Sequence, residues 1–416
     1  MTQKQELSSE NFDKIQKELQ SGQNLFVTGV AGSGKSHLLR QLKAFHKRDL
    51  HLTATTGISA LNINGSTIHS WARLGIGAYP KDRVYKMILK DKKAFNRITS
   101  CRYLAIDEIS MLSDKMLFLL HEVLCLVRKN PNPFGGIKVI LFGDFLQLPP
   151  VLKEPEQICL NSKIWQHANI KTILLTTNFR QKNDTSYYDL LKDIRKGRNI
   201  HEACQVLHTR VGEKYPADVT KLVATRDKAK AINQAFLNSL EHPIQKFTGR
   251  YTGTELDINL HKAPFADLET LEFKKDSKVM LIYNVNLKEG LVNGLIGKIL
   301  RFSDMGYPIV EFENGDHVEM KEIAWEVEDG RGHVIFSFTQ IPLQLAWATT
   351  IHKSQGCTFS KLHVDLSNCF AAGQAYVALS RVKSLDGLYL EPFAPHKIVT
   401  DKDMVAYYDS LEQEST

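Results

Sequence analysis

The chain alternates short, nearly continuous apolar runs with longer stretches whose apolar residues fall on one face of a helix. Runs of the first kind stand at residues 25–27, 51–54, 103–106, 138–142, 173–176, 222–225 and 361–365. Strands covered by helices on both sides read this way, because neither face of the sheet meets water. The stretches at 7–19, 37–45, 112–127 and 227–240 carry the helical period instead. The first has Phe12, Ile15 and Leu19 on one stripe, and the third has Met116, Leu120, Val123 and Val127. Strand and helix alternate before about residue 170 and again after it, which predicts two α/β halves. From about 266 to 339 the texture changes to short β runs at 278–283, 297–302, 309–312, 317–320 and 334–339, punctuated by the turn pairs Asn293-Gly294 and Asn314-Gly315. A small antiparallel barrel inserted in the second half is expected there. The predicted division is 1–170 for the first half, 171–265 with 340–400 for the second, 266–339 for the barrel, and 401–416 for a frayed polar tail.

Composition narrows the setting without deciding it. A chain of 416 residues can form two to four domains with large cores. No apolar stretch approaches the ~20 residues of a bilayer span, and the opening MTQKQELSSENFDK lacks the apolar core of a signal peptide, so an intracellular protein with no membrane role is expected. Six cysteines without CxxC spacing suggest neither a zinc site nor a disulfide framework. A net charge of +7 is compatible with a nucleic-acid partner and proves none. A small insertion at about 70–98 is locally basic: Lys81, Arg83, Lys86, Lys90, Lys92, Lys93 and Arg97 stand against Asp82 and Asp91. A solvated face or a subdomain resting on nucleic acid would both have this composition.

The chemistry begins at GVAGSGKS, Gly29 to Ser36, set between an apolar run and a helical stretch. This is the context of a P-loop. Its glycines let backbone N–H groups close around phosphate, Lys35 reaches the β/γ-phosphates, and the Ser36 hydroxyl can hold Mg²⁺. The run at 103–106 delivers Asp107 and Glu108 at its carboxyl end, where open α/β sheets bind ligands. Behind a P-loop, Asp107 would complete the Mg²⁺ shell and Glu108 would polarise the attacking water. Gln147, in GDFLQLPP, is either a sensor of the γ-phosphate or a surface or turn amide. Arg180, in TNFRQ, is either an ion-pair anchor or a charge reaching the nucleotide. Hydroxyl-rich turns at Thr55-Thr56-Gly57 and Gly65–Ser70 suit phosphate contacts to a nucleic-acid backbone, and also suit plain loop caps.

Taken together these blocks resemble superfamily one helicases, most of all the petite integration frequency (PIF) family of DNA helicases. The resemblance runs from Leu7 to Leu390. It rests on LTATTGISALNINGSTIHSWARLGIG, IDEISML, PFGGIKVILFGDFLQLPPV, NFRQ, LVNGLIGKI, TIHKSQGCTF and YVALSRV. It implies two RecA-like P-loop NTPase domains, a small insertion in the first and an SH3-like β-barrel inserted in the second. It implies ATP contacts by Asn11, Gly29, Ala31, Gly32, Ser33, Gly34, Lys35, Ser36 and Gly356. Asn11 stands where the family usually has Gln, and Trp71 where it commonly has Phe. Lys35, Glu108, Gln147, Arg180 and Arg381 would be catalytic, the two arginines as fingers supplied by the second domain. Thr56, Gly57, His69, Thr350, His352 and Lys353 would lie on loops facing single-stranded DNA. The implied activity is ATP-dependent 5′-to-3′ translocation and unwinding by a monomer on tailed or forked duplex, in DNA replication, recombination, repair or telomere maintenance. That places it in the nucleoid of a bacterium or the nucleus or mitochondrion of a eukaryote. RNA–DNA hybrids and G-quadruplexes stay open as substrates. An ATP-dependent clamp or remodeller that separates no strands is the alternative.

Overall fold

The computed structural model describes residues 3–75, 79–150, 157–216, 219–286, 289–328 and 333–414; the ends of two motif blocks quoted above, 76–77 and 151, lie outside them. Six strands, β1 (Asn24–Gly29), β2 (Leu50–Ala54), β3 (Ser66–Thr67), β4 (Tyr103–Asp107), β5 (Lys138–Gly143) and β6 (Ile170–Leu175), make one parallel sheet in the order β3-β2-β4-β5-β1-β6. Alternate residues of each strand enter opposite cores, which is why the runs look continuously apolar. Leu25, Val27, Ile140 and Phe142 pack with Ile15 and Leu19 of α1 (Gln3–Gln20) and Leu38, Leu39 and Leu42 of α2 (Lys35–His46). Phe26, Leu104, Ile106, Val139 and Leu141 enter the other core.

That second core explains the basic insertion. After α3 (Gly57–Asn62) and α4 (Ile68–Trp71), the helices α5 (Lys81–Lys90) and α6 (Lys92–Ser100) form a hairpin on α7 (Asp114–Arg128). Val84, Ile88, Ala94 and Ile98 face α7 inside the core, while Arg83, Lys86, Lys90 and Lys92 are exposed. The segment is thus fold on one side and charge on the other. Its turn is tied down: Asp91 caps α6 and pairs with Arg73 at 2.5 Å, and Lys93 reaches Asp257 at 3.0 Å.

Three expectations need correction. The run at 173–176 does not open the second half, because β6 pairs with β1 along its whole length and closes the edge of the first sheet. The second half has its own parallel sheet, in the order Ala348–Thr350, Lys221–Val223, Leu362–Val364, Leu388–Leu390. The β unit is larger than 266–339. A five-stranded sheet (from Lys278–Leu281 to Leu343–Leu345) and a three-stranded sheet (Arg250–Gly253, Ile323–Glu328, Val334–Gln340) share one aromatic core of Phe265, Phe273, Phe312, Trp325, Phe336 and Phe338. Its early strands, Gln245–Thr248 and Arg250–Gly253, are mostly exposed and polar, so no apolar run announced them.

The third correction concerns the tail. Residues Lys402–Glu414 form a helix that docks on the first half, with Met404 and Tyr408 in its core. The one-turn spacing of these two residues is a helical stripe that a polar background hid. Tyr408 is 0% exposed; its hydroxyl pairs with Thr28 Oγ1 at 2.6 Å and accepts from the backbone N–H of Phe145 at 3.1 Å. Tyr408→Ala is expected to cost about 3–5 kcal/mol, the range for emptying a large aromatic site. Chemical denaturation checks this, and a loss below about 1 kcal/mol would return the segment to a frayed tail.

Candidate nucleotide site and the adjoining cleft

The P-loop leaves β1 through a conformation that side chains resist. Gly29 has φ 156°, and a Cβ there would sit 2.5 Å from the carbonyl oxygen of Leu175 on β6. Gly32, at φ 86°, would drive a Cβ to 2.7 Å from Cβ of Arg180. The loop can therefore lie against the segment after β6 only as glycine. That segment is bonded to it: Phe179 N–H donates to Gly32 O at 2.9 Å and Asn178 Nδ2 to Ala31 O at 3.0 Å. Gly34 then caps α2 in a left-handed conformation and its carbonyl accepts from the N–H groups of His37 and Leu38, both at 3.0 Å, so the positive end of the helix dipole faces the loop. Lys35 Nζ donates to Gly29 O at 2.6 Å and Val30 O at 3.1 Å. Burial lowers its pKa, offset in part by Asp144, Glu108 and Asp107.

Acidic groups converge on this lysine from the ends of β4 and β5. Asp107 is buried, and burial with the neighbouring Glu108 pushes its pKa up to about 7. Glu108 is raised too, by burial first, with Lys35 and Arg381 opposing. Its backbone is left-handed at φ 53°, and its N–H donates to Asp107 Oδ1 at 3.0 Å. Thr55 Oγ1 fixes the Glu108 carbonyl at 2.8 Å. Two arginines lie beside each other here, and Arg381 is close enough to feel the charge of Glu108. Arg381 donates to Val377 O at 2.8 Å and to Ser380 Oγ at 2.7 Å. Arg180 donates to Ser380 O at 2.9 Å, and burial beside Arg381 lowers its pKa to about 9. Arg180 belongs to the connection after the first sheet, anchored on the P-loop, and so does not come from the second half as expected. Gln147 is buried and donates to Asp144 Oδ2 at 3.2 Å.

A nucleotide's phosphates fit these residues on two observations: the Gly29–Gly34 cradle admits no Cβ, and Ser33 Oγ and Arg180 Nε are buried with no partner. Buried polar atoms of that kind are rare in a native structure and mark a missing acceptor or donor. Asn11 stands partly exposed on α1. A Cβ at Gly356 would meet Asn62 of α3 at 3.5 Å and no P-loop atom within 4 Å.

A cleft of about 1050 Å³ runs alongside, walled by the first half, the second half and the β unit. Thr56, Gly57, His69, Thr350, His352 and Lys353 all line it. They are not all on loops: His69 is in α4, Gly57 begins α3, and Thr350 ends a strand. Burial lowers the pKa of His69 and His352, so both present neutral rings near pH 7. Lys353 Nζ meets Asp267 at 2.7 Å. The walls touch at Gly57, where a Cβ would come within 2.6 Å of Pro264, and through the Asn62–Asn293 side-chain pair.

Comparison with known proteins decides the family. The model of the PIF1-like helicase family matches residues 2–205. The ATP-dependent DNA helicase Pif1 of Bdellovibrio bacteriovorus is 33% identical over 397 residues, covering 95% of this chain and 90% of its own. The chain belongs to the PIF1-like helicases. The human ATP-dependent DNA helicase PIF1 is 36% identical over 414 residues, 97% of this chain, which spans 64% of the human protein's length. Bacteroides sp Pif1 solved in complex with ADP-AlF4 is 28% identical, covers 97% of each chain and superposes with a TM-score of 0.85; Bacteroides Pif1 solved bound to ssDNA, 27% identical over 98% of this chain and 97% of that one, gives 0.67. These neighbours share the parallel-sheet α/β core.

Sequence motifs missed the groups that join the two halves of this PIF1-like chain. Asp144, 0% exposed, accepts two hydrogen bonds from Arg195, at 3.1 and 2.8 Å. Arg195 belongs to the helix Thr185–Lys196, which packs in the second core, and its guanidinium lies 4.4 Å from the Tyr408 ring. The Tyr376 hydroxyl, also from the second core, accepts from Ala31 N–H of the P-loop at 3.0 Å. Asp144 and Tyr376 stand in the quoted blocks GDFLQLPP and YVALSRV, which do not show their partners, and Arg195 had only the run IRKG, which carries no chemistry by itself. Arg195→Ala is expected to cost roughly 3–5 kcal/mol, since it strands the buried Asp144. Arg195→Met with Asp144→Leu should recover most of that loss in chemical denaturation, and equal losses in both proteins would show that the pair does not hold the halves.

Proposed function

We propose that this chain is an ATP-driven motor that moves 5′ to 3′ on single-stranded DNA and unwinds duplex. One observation carries the reading: six residues from segments nearly 300 positions apart line a single cleft, and Thr55 in its wall bonds the carbonyl of Glu108 at the nucleotide site. Bacteroides Pif1 has been solved bound to ssDNA, and such a structure supports the same ligand here. The halves then act as RecA-like domains and the β unit as an SH3-like barrel, with Mg²⁺ held by Ser36 and Asp107. No group of three His, Cys, Asp or Glu is clustered for a metal among the described residues, which suits an ion that keeps phosphate oxygens and water as its remaining ligands. When bound, Mg²⁺ neutralises charge on the phosphates.

The residues of the chain do the rest. Lys35 leaves the carbonyls of Gly29 and Val30 for phosphate oxygens. Glu108, whose burial strengthens its hold on a proton, accepts one from the attacking water. Arg180, from the segment anchored on the P-loop, and Arg381, from the second half, meet charge developing on the γ-phosphate, and Arg381 ties hydrolysis to closure of the cleft between the halves. Thr56 and His69 grip the strand from one side and Thr350 and Lys353 from the other, so opening and closing yields net motion. The protein works as a monomer where cellular DNA is kept. The clamp or remodeller reading lacks a specific observation in its favour, and strand displacement on a tailed duplex separates the two. The same assay on forks, RNA–DNA hybrids and G-quadruplexes ranks substrates.

Lys35→Ala is expected to abolish turnover by losing phosphate binding, whereas Glu108→Gln keeps nucleotide bound and stalls hydrolysis. Arg381→Ala should leave ATP affinity within a few fold and cut kcat by on the order of 10³; a loss confined to KM would make Arg381 a binding residue. Duplex with a 5′ tail should be opened and duplex with a 3′ tail should not, and the reverse would sink the polarity. Because Asp91 and Lys93 hold the α5–α6 turn, the insertion is tested on its exposed face. Lys86→Glu, Lys90→Glu and Lys92→Glu together should reduce unwinding far more than DNA-stimulated ATPase if that face meets the fork.

A further inference from the structure

A second cavity, of about 600 Å³, opens on the far side of the α3–Pro264 contact, between the β2–β3 edge of the first sheet and the three-stranded sheet of the β unit. Its charge is one-sided. Arg40, Lys43, Arg48 and Arg97 line it, and Glu326 is the one carboxylate among its described lining residues. Arg97 is fixed by two hydrogen bonds to Trp71 O, at 3.1 and 2.5 Å, and so stands as a permanent positive wall. Lys43 is held nearby through the carbonyls of Lys47 and Leu50. Their field, after burial itself, brings the pKa of His51 in the same wall down to about 4.

Arg40 is the telling residue. It is half-buried, and Nε is covered without a partner. Burial lowers the pKa of its guanidinium, and no carboxylate among the described residues offsets that cost. Across the cavity the indole N–H of Trp325, 5% exposed, also lacks an acceptor. Buried donors left unpaired destabilise a fold unless a ligand meets them, and arginine without a carboxylate is the side chain suited to a phosphate. The cavity also shares walls with the DNA cleft: Gly57, Thr67, Ser70 and Pro264 line both. A strand lying in the cleft has the cavity as its neighbour across a few residues.

We propose that this cavity is a second anion site, which takes a phosphodiester unit of nucleic acid continuous with the strand in the cleft. The site rests on the reading of the chain as a DNA motor and extends it beyond the cleft-lining residues. Its walls come from the first half and the β unit, so a strand seated there fixes the position of one against the other. The same chemistry would accept the phosphate of a free nucleotide, and the two sources are separable.

The full chain is titrated with a fluorescent oligothymidine just long enough to fill the cleft, and with one roughly twice that length, over a range of salt. Arg40→Ala with Arg48→Ala should weaken the long strand about tenfold and flatten its salt dependence by about two phosphate contacts. The short strand, and the maximal ATPase it stimulates, should be unchanged. Trp325→Phe keeps the ring, removes the N–H, and should weaken the long strand a few fold. Equal loss on both lengths, or no loss on either, overturns the site. Loss of AMP binding in the Lys35→Ala background, with long-strand affinity unchanged, upholds an anion site and overturns the strand as its ligand. Failure of the motor reading would look different, since the unsubstituted chain would then bind neither length.

Discussion

A carboxylate with no exposed surface cannot stand alone in a protein interior, because its desolvation costs several kcal/mol unless a partner and hydrogen bonds repay it. Asp144 meets that constraint chiefly through Arg195, with further hydrogen bonds from Leu146 N–H and Gln147, and the aspartate and arginine come from different halves of the chain. The pair is therefore both a seam and a sensor. It sits at the end of β5 beside Lys35, shares an oxygen with Gln147, and is backed by Tyr408 from the C-terminal helix. A change of charge at the P-loop is felt first by Asp144, and any movement of the second half must carry Arg195 with it or break the pair. The P-loop makes the same junction in backbone form, since Tyr376 and Asn178 bond to either side of Ala31. Nucleotide chemistry and the relative position of the halves are in this sense one problem.

Two buried arginines make the junction mechanically useful. Arg180 and Arg381 lie close enough that each lowers the cost of losing a proton from its neighbour, an arrangement that burial alone would disfavour. An incoming anion relieves both. The adjoining cleft draws its walls from the first half, the second half and the β unit, so any movement of one against another reshapes it as well. Among the described residues the β unit meets the first half through Lys93 with Asp257, Ser70 with His261 and Asn62 with Asn293, beside the packing of Pro264 on Gly57. The Lys93–Asp257 pair, its lysine partly exposed, releases at modest cost.

How much could be read from the sequence followed the range of the interaction. The P-loop and the Asp107–Glu108 pair are contiguous, each a strand end followed by residues whose chemistry needs that spacing, and they were legible at once. The apolar runs placed five of the six strands of the first sheet and two of the four strands of the second, missing Ser66–Thr67, Ala348–Thr350 and Leu388–Leu390, and assigned β6 to the wrong half, because a strand's partner is not written in its own hydrophobicity. Gln245–Thr248 and Arg250–Gly253 escaped because exposed edge strands have no apolar signature. The tail was misread since two buried residues in a polar helix look like noise until Thr28 and Phe145 are seen around Tyr408. The pairings of Arg195 and Tyr376 were invisible for the same reason, their partners lying 51 and 345 residues away.

The most direct test is ATP turnover by the intact chain with and without single-stranded DNA. If the cleft holds DNA and its walls move with the arginines, saturating single-stranded DNA should raise kcat at least tenfold, with half-maximal stimulation shifting steeply with salt. Turnover indifferent to DNA at every salt concentration would mean that the cleft and the nucleotide site are not coupled, and that the motor reading is wrong.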